Sequence, residues 1–143
     1  MGTNYYWREP ETNHCAHCGR CDEGEWLHIG KSSSGWCFSL HVYPERGIHD
    51  LPDWLPLLDR GRIYNEYDEA LPKGEMVKTI TDRRAIRQWG DEMYPNRWYR
   101  SEAELMERNN AERGPNGLLR HRVGRHCVKH GDGTWDCIEG DFS

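Results

Sequence analysis

The sequence is short of apolar residues and contains no long hydrophobic run. Only 36% of its 143 residues are hydrophobic, and just two are Phe. No segment approaches the roughly 20 consecutive apolar residues that cross a bilayer, so we expect no membrane span. The first residues lack the basic and apolar regions of a secretory signal peptide. The sequence therefore predicts a cytoplasmic protein that does not associate with membranes.

Positively charged residues are also fewer than negatively charged ones. The chain has 19 Lys and Arg against 24 Asp and Glu, a formal net charge of −5 at pH 7 with His counted neutral. This balance argues against a dedicated nucleic-acid coat protein and against binding to anionic membranes. Segment 83–100 mixes Arg with Trp and Tyr, as surfaces for single strands do, but its acidic residues favour a structural role. Nucleic acid is not an expected partner.

Recognisable catalytic motifs are missing as well. The chain has neither a Gly-x-Ser-x-Gly nor a His-Glu-x-x-His pattern. Gly30-Lys31-Ser32 resembles the end of a phosphate-binding P-loop, but Glu25 stands where that loop needs its first glycine, and a strand-like segment follows instead of a helix. The sequence favours a protein without enzymatic activity. A metal-dependent enzyme that processes nucleic acids stays an alternative.

Large aromatic residues are plentiful, with seven Trp and seven Tyr. A core built on such rings buries much area per residue, but their N–H and O–H groups need hydrogen-bond partners. A chain this polar also gains stability from a bound metal ion. We therefore predict a single zinc-stabilised domain over residues 1–143.

The pattern of apolar residues predicts an α+β fold, with a small antiparallel sheet, a few short helices and a zinc knuckle. Strands are expected over 3–8, 25–29, 36–43 and 62–67, with a hairpin loop over 30–35. Helices are expected from Pro72 to about residue 80, over 82–94, and after the capping-box sequence that starts at Ser101. A short helix or turn interrupted by proline is expected over 53–58. Short strand-like segments follow residue 118.

The metal prediction starts from Cys15-Ala16-His17-Cys18-Gly19. Two thiolates at Cys-x-x-Cys spacing can bind one ion, and the glycine lets backbone N–H groups turn toward the sulfurs. In a reducing compartment, the six cysteines favour metal ligands or free thiols over disulfides. Cys21 adds an overlapping Cys-x-x-Cys, but no fourth cysteine follows at ferredoxin spacing, so zinc is favoured over an iron–sulfur cluster.

The other ligands are sought on the predicted hairpin. His28 stands between two apolar residues, so its side chain points to the opposite face of its strand. If the loop is flanked by Ile29 and Trp36, His28 lies across from Cys37, with His41 further along that face. The predicted zinc ligands are Cys15, Cys18, His28 and His41. Cys37 or Cys21 as the fourth ligand stays open.

A second group of potential ligands lies near the end of the sequence and comprises His126, Cys127, His130 and Cys137. The turn Gly131-Asp132-Gly133 could bring its two halves together. No strict zinc signature matches, so a second metal site is an alternative and not the main prediction.

Two segments are candidates for ligand binding. Backbone N–H groups, serine hydroxyls and a lysine on a loop can hold a phosphate without hydrolysing it. A guanidinium beside an imidazole can bind an anion. The candidate ligand-binding residues are Lys31, Ser32, Ser33, Trp36, Arg120 and His121. The competing interpretation is a solvated hairpin tip and a solvated basic pair.

The whole chain resembles a family of small proteins encoded mainly by bacteriophages. The resemblance rests on Met1–Tyr6, on the Cys-x-x-Cys-Gly sequence, on Leu27–Trp36, on Gly114–His121 and on the closing Gly140-Asp141-Phe142-Ser143. It implies a phage accessory protein inside a bacterial host cell, with a role in counter-defence.

The expected function is binding and inhibition of a host defence protein, for which Trp or Tyr residues should be exposed on one face. The first alternative is sequestration of a nucleotide-like immune signal in a pocket, between subunits if the protein forms an oligomer.

Overall fold

The described part of the chain is a mixed α+β structure organised around one seven-stranded sheet. The computed structural model describes residues 2–9, 25–85 and 99–142. Its strands are β1 (Gly2–Arg8), β2 (Trp26–Ser33), β3 (Phe38–Val42), β4 (Arg62–Asn65), β5 (Ala70–Leu71), β6 (Ala111–Arg113), β7 (Leu119–His121), β8 (Cys127–His130) and β9 (Trp135–Glu139). Its α-helices are α1 (Leu51–Arg60), α2 (Lys73–Thr81) and α3 (Glu102–Arg108). The predicted fold class is confirmed. The predicted zinc knuckle at Cys15 and Cys18 lies outside the described residues.

The strand order of the main sheet is β5-β4-β1-β2-β3-β9-β8, and β6 and β7 form a separate two-stranded ribbon. Neighbouring strands of the main sheet are antiparallel except β3 and β9, which run parallel. The C-terminal hairpin β8–β9 thus extends the sheet beyond β3. The turn predicted at 131–133 joins its two strands.

One face of the main sheet carries the apolar core. Phe38, Leu40 and Val42 alternate along β3 and pack with the apolar faces of α1 and α2. The predicted alternation is confirmed for these three residues. In the described residues, no helix has the length and apolar character needed to cross a membrane.

Tryptophan side chains in this core have the polar partners that the sequence analysis expected. The indole N–H of Trp7 donates to the Leu57 carbonyl at 2.7 Å, and that of Trp54 to the His41 carbonyl at 2.8 Å. Trp135 donates to the Asp50 carboxylate at 2.8 Å. Each ring therefore buries apolar area without leaving an unpaired donor, which would reduce stability.

Helix α1 is longer than predicted. It continues through Pro56, where a turn or a break was expected. A proline at this position removes one hydrogen bond, to the carbonyl four residues earlier. The helix persists because Asp50 caps its first turn and because Leu51, Trp54 and Leu58 are buried on one side of it.

The hairpin β2–β3 differs from the prediction in its register. Strand β2 runs on to Ser33, since β1 pairs with it as far as Gly2 opposite Ser33. Gly30 pairs with Leu40, so the expected position of His28 across from Cys37 is wrong. The predicted six-residue loop is reduced to a short connection between Ser33 and Phe38.

A β-bulge at Gly30 sets which side chains leave the core face. Tyr5 pairs with Gly30 and Tyr6 with His28, so the pairing skips Ile29. Gly30 has φ +157°, and a Cβ there would collide with the Ser39 carbonyl and the Phe38 ring. Alternation alone puts Ile29 in the core and His28 on the opposite face. The extra residue shifts this alternation, so that Lys31, which pairs with Ser39, lies on the same face as His28.

Of the three helices predicted after α1, the two that have clear start signals form as expected. Helix α2 begins after Pro72, and the Ser101 side chain caps α3 by accepting from the Glu104 N–H at 3.2 Å. The predicted helix over 82–94 is wrong in its first part, because residues 82–85 are not helical. The rest of that segment lies outside the described residues.

Candidate functional site

The face of the main sheet opposite the apolar core carries the polar groups that the sequence analysis singled out. Strand alternation places Ser39 and His41 of β3 on this polar face, beside Asp136 of β9. The β6–β7 ribbon lies over one end of it, where the His121 N–H donates to Asp136 Oδ2 at 2.9 Å. We call this surface the polar face.

Four of the six predicted ligand-binding residues line one cleft on the polar face. The cleft has a volume of about 350 Å³, and we call it the tryptophan cleft. Its described lining residues are Lys31, Ser33, Trp36, Ser39, Tyr99, Leu105, Asn109, His121 and Phe142. They include a lysine and a histidine but no carboxylate. The cleft combines hydrogen-bonding groups with ring faces.

The rings of Trp36 and His121 stack in this cleft. Their centroids are 4.9 Å apart and their planes are inclined by 27°. Backbone hydrogen bonds fix this pair, since Leu119 N–H donates to Gly35 at 2.8 Å and Cys37 N–H donates to Leu119 at 2.7 Å. Residues far apart in sequence are thereby held in one cleft.

Ser32 and Arg120 have other partners. Ser32 Oγ accepts from the Arg83 guanidinium at 2.8 Å, and the same guanidinium donates to the carbonyls of Ser33 and Trp36. Arg120 Nε lies 3.3 Å from Asp136 Oδ1, and Arg120 NH2 donates to the Gly133 carbonyl. These hydrogen bonds stabilise the connection after β2 and the end of β9, and neither side chain lines the tryptophan cleft.

A second cleft of about 380 Å³ adjoins the first, with which it shares Ser39, Asn109, His121 and Phe142. We call it the arginine cleft because Arg122 and Arg125 line it. The other lining residues are Asn110, His126, Cys127, Ile138, Glu139 and Asp141. Its cationic and anionic side chains offset one another, so it has less preference for an anion than the tryptophan cleft.

His28 and His41, two of the predicted zinc ligands, meet on the polar face. Their Nδ1 atoms are 3.0 Å apart. Burial lowers the pKa of His28 to about 4, assisted by the nearby His41, and burial also lowers the pKa of His41. Both imidazoles are therefore neutral at pH 7, which is the form that binds metal ions.

Neighbouring groups orient this histidine pair. His28 Nε2 lies 2.8 Å from Asn4 Oδ1. A proton on Nε2 donated to that oxygen leaves His28 Nδ1 with a lone pair, which accepts from His41 Nδ1 here. In metal sites, the same arrangement of the second ring nitrogen directs that lone pair to the ion. The Phe142 ring packs edge-on against His28, at a centroid distance of 4.8 Å. The predicted partners Cys15 and Cys18, and the alternative Cys21, lie outside the described residues.

Among the described residues, one set of three His, Cys, Asp or Glu side chains could hold a metal ion. It consists of Cys127, His130 and Asp136, whose donor atoms all lie within 4.8 Å of one another. The alternative ligand Cys37 is not in this set and does not join the histidine pair in one. Burial raises the pKa of the Cys37 thiol to about 11.

The set differs from the second cluster considered in the sequence. Cys137 faces the apolar core, where its Sγ lies 3.6 Å from Asp50 Oδ1, and its neighbour Asp136 takes its place. Successive strand residues point to opposite faces. Trp135 and Cys137 are apolar residues that flank Asp136, and this alternation is the sequence signal that could have placed Asp136 on the polar face.

Without a bound cation, this cluster is poorly suited to nucleophilic chemistry. Burial raises the pKa of Cys127 to about 12, and burial also raises that of Asp136 despite the opposing His121 N–H and Arg120 guanidinium. The thiol is therefore protonated at neutral pH, whereas the nucleophilic form is the thiolate. A bound metal ion would remove the proton from the thiol.

A cluster of one exposed and two half-buried aromatic side chains lies at the other end of the polar face. The Trp26 ring lies 5.8 Å from that of Tyr64 and 6.5 Å from that of Tyr6, and 45% of Trp26 is exposed. The Arg8 guanidinium lies 5.2 Å from the Trp26 ring. We call Tyr6, Trp26 and Tyr64 the aromatic patch.

Comparison of the chain with protein-family models, with curated protein sequences and with solved structures finds no match.

Proposed function

We propose that the protein binds a small anionic ligand with a planar ring, of the nucleotide class, in the tryptophan cleft and does not transform it. The observation that carries this proposal is the meeting of Lys31, Ser33, Trp36 and His121 around one cleft. These residues come from two segments of the chain, one over residues 31–36 and one at His121. Each belongs to a residue type that binds a part of a nucleotide.

The division of roles follows from the chemistry of the lining. The Lys31 ammonium attracts a phosphate group, to which the Ser33 hydroxyl can donate. The Trp36 ring offers a face for a nucleobase, and stacking of this kind contributes about 1–3 kcal/mol per base. Asn109 adds an amide at the same cleft, a group able to pair with a base edge.

The size of the cleft limits the ligand. Its volume of about 350 Å³ is near the lower end of the usual range for small-molecule sites, roughly 300–1,000 Å³. One nucleotide unit suits this space better than an oligonucleotide. A larger ligand would extend into the adjoining arginine cleft or, in an oligomer, into a second copy of the protein.

Zinc is the metal we propose for the predicted site of Cys15, Cys18, His28 and His41. Support comes from the two histidines, whose Nδ1 atoms are 3.0 Å apart, close to the roughly 3.3 Å expected between two nitrogens on one tetrahedral zinc. The ion would add folding free energy to a chain with few apolar residues. Its role is structural in this proposal, and it takes no part in ligand binding.

The resemblance to phage proteins gives the biological setting of the proposal. A protein that holds a nucleotide-like signal without consuming it lowers the free concentration of that signal. In an infected bacterium, this would weaken a defence response that depends on the signal. The absence of turnover means that the protein would act in stoichiometric amounts.

The test is equilibrium binding of a panel of mononucleotides and cyclic nucleotides, measured by isothermal titration calorimetry. We expect one ligand class to bind the wild-type protein and Trp36→Ala to weaken that binding roughly 5- to 150-fold, the equivalent of about 1–3 kcal/mol. The matched control is Trp26→Ala, which removes an exposed tryptophan outside the cleft. Equal loss of affinity in both variants, or no binding in the panel, would contradict the proposal.

Inhibition of a host protein is the second candidate function, and the aromatic patch supports it. Exposed Trp and Tyr on one face are typical of the central residues of protein interfaces. For this candidate, Trp26→Ala should abolish capture of a specific host protein, whereas Trp36→Ala should leave capture unchanged. The two variants thus distinguish the two functions, since Trp36→Ala should impair only nucleotide binding and Trp26→Ala only capture of the host protein.

A further inference from the structure

We infer that Cys127, His130 and Asp136 form a metal site of their own, separate from the predicted zinc knuckle, for a divalent cation of the zinc class. A sulfur, a nitrogen and an oxygen donor lie within 4.8 Å of one another. Donors on one tetrahedral zinc lie about 3.3–3.6 Å apart, so binding requires a contraction of roughly 1 Å. A set that mixes thiolate and imidazole favours zinc over magnesium or calcium.

The site is built on paired strands. His130 of β8 lies directly opposite Asp136 of β9, and Cys127 lies opposite Ile138. The pairing shifts between Cys127 and Lys129, and this irregularity accompanies the placement of Cys127 and His130 on the same face. Cys127 is 2% exposed and Asp136 is fully buried. Hydrogen-bonded strands hold all three ligands more precisely than loops would.

Hydrogen bonds orient the ligands in the way that metal sites require. His130 Nε2 lies 2.9 Å from the His121 carbonyl oxygen. Because that oxygen only accepts, Nε2 carries the proton and Nδ1 keeps its lone pair. Imidazole ligands of metals commonly donate their second N–H to a backbone carbonyl in this manner. Asp136 Oδ2 accepts from the His121 N–H at 2.9 Å, and Asp136 Oδ1 lies 3.9 Å from His130 Nε2, so the carboxylate and the imidazole are neighbours on the same face.

The Arg120 guanidinium opposes metal binding, because its Nε lies 3.3 Å from Asp136 Oδ1. A carboxylate offers about four lone-pair positions, of which Asp136 uses two in these hydrogen bonds. Glu112 adds a further negative charge, 3.6 Å from His130 Nε2. A thiolate and two carboxylates then balance one guanidinium and one dication, so the site carries no net charge when occupied.

The cluster supplies three protein ligands, and Cys127 also lines the arginine cleft. Zinc sites with three protein ligands keep a fourth position for water or for a ligand. The cleft gives that position a route to solvent. The site is therefore of the open type, in contrast to the closed four-ligand site proposed for the knuckle.

The test is cobalt(II) titration of the metal-free protein, with the number of bound ions counted after dialysis by elemental analysis. We expect Cys127→Ala to lose one equivalent of cobalt together with part of the thiolate-to-cobalt absorption. The matched control is Cys137→Ala, which removes an equally buried thiol from the opposite face of the neighbouring strand. This control should keep the wild-type count and spectrum.

His130→Gln provides a second variant that does not remove a buried thiol, and it should also lose one equivalent. The proposal is overturned if folded Cys127→Ala or folded His130→Gln binds as much cobalt as the wild type. If Cys127→Ala fails to fold, His130→Gln alone decides. Occupancy of the predicted knuckle does not affect this result. If the knuckle binds no cobalt, the wild-type protein binds one ion instead of two, but Cys127→Ala and His130→Gln are still expected to lose one.

Discussion

The two faces of the seven-stranded sheet differ in composition although they alternate along the same strands. On β3, Phe38, Leu40 and Val42 point into the core, while Ser39 and His41 point to the polar face. The core face is covered by α1 and α2, whereas the polar face carries both clefts, the histidine pair and the Cys127 cluster. Stability is therefore concentrated on one face and the candidate chemistry on the other.

This division means that mutations should fall into two classes. Substitutions on the core face are expected to reduce the free energy of unfolding, because they remove buried apolar contacts. Substitutions on the polar face are expected to change metal or ligand binding with smaller effects on stability. The four predictions below test this division, in order of decreasing effect.

The largest effect is expected for Trp54→Ala on the core face. Trp54 is fully buried, and its indole N–H pairs with the His41 carbonyl. The change should cost about 3–5 kcal/mol in the free energy of unfolding, a large share of the 5–15 kcal/mol typical of a domain. Denaturant unfolding followed by circular dichroism measures it. Trp26→Ala, at an exposed tryptophan, should cost less than about 0.5 kcal/mol, and equal costs would contradict the division.

Gly30→Val should disrupt both faces at once. The side chain would collide with the Ser39 carbonyl and the Phe38 ring, in a backbone conformation that suits only glycine. We expect a loss of at least about 1–3 kcal/mol in the free energy of unfolding, from the backbone conformation alone. Since the bulge also sets the positions of His28 and Lys31, ligand binding should fall in the folded fraction.

For comparison, Gly47→Val also replaces a glycine with positive φ, but nothing lies within 4 Å of a Cβ there. Gly47→Val should therefore reduce the free energy of unfolding without loss of ligand binding. If both variants bind the ligand like the wild type, the bulge does not position the polar face.

A pH dependence of stability is expected from the histidine pair. The folded chain takes up a proton on His28 only near pH 4, because burial lowers its pKa, whereas the unfolded chain does so near 6.5. Between these values the unfolded state binds more protons, so the free energy of unfolding should decrease as the pH falls from about 6.5 to 4. A zinc ion on the same nitrogens would act in the same direction, since protons compete with it.

The measurement is the melting temperature between pH 7 and pH 4. His28→Gln should show a shallower decrease than the wild type. His49→Gln serves as the control, because His49 is exposed, and it should keep the wild-type slope. Identical slopes in all three proteins would show that the buried pair does not set the pH dependence.

The smallest effect on stability is expected for Lys31→Gln, which removes the charge but keeps a polar side chain, shorter by one bond, in the lining of the tryptophan cleft. Removal of its charge should weaken binding of an anionic ligand several-fold, and more strongly at low salt. The melting temperature should change little. Calorimetry at two salt concentrations checks both points, and a loss of affinity independent of salt would argue against a direct contact with a phosphate group.

Local patterns predicted a large part of the fold. The alternation along β3, the capping box at Ser101 and the proline before α2 all gave the correct element at the correct place. These signals depend on neighbouring residues alone. The register of the β2–β3 hairpin was wrong because pairing with β1 and the Arg83 hydrogen bonds decide it, and neither is visible in the local sequence.

The candidate sites show the same limit. The tryptophan cleft joins Lys31 and Trp36 of one segment to His121 of another, and the contact of Trp36 with the β6–β7 ribbon brings the two segments together. Asp136 was missed as a candidate ligand because a carboxylate carries no metal signature of its own. Alternation along β9 indicates its face, but its position opposite His130 of β8 is a property of strand pairing.

The most direct test of the central claim, ligand binding in the tryptophan cleft, is native mass spectrometry of the protein purified from bacterial cells. The wild type should carry, besides metal, a small anion that is released on denaturation, and Trp26→Ala should carry it too. Trp36→Ala should lack it. A wild-type spectrum that shows metal alone, and that stays unchanged after incubation with a nucleotide extract of the cells, would contradict the claim.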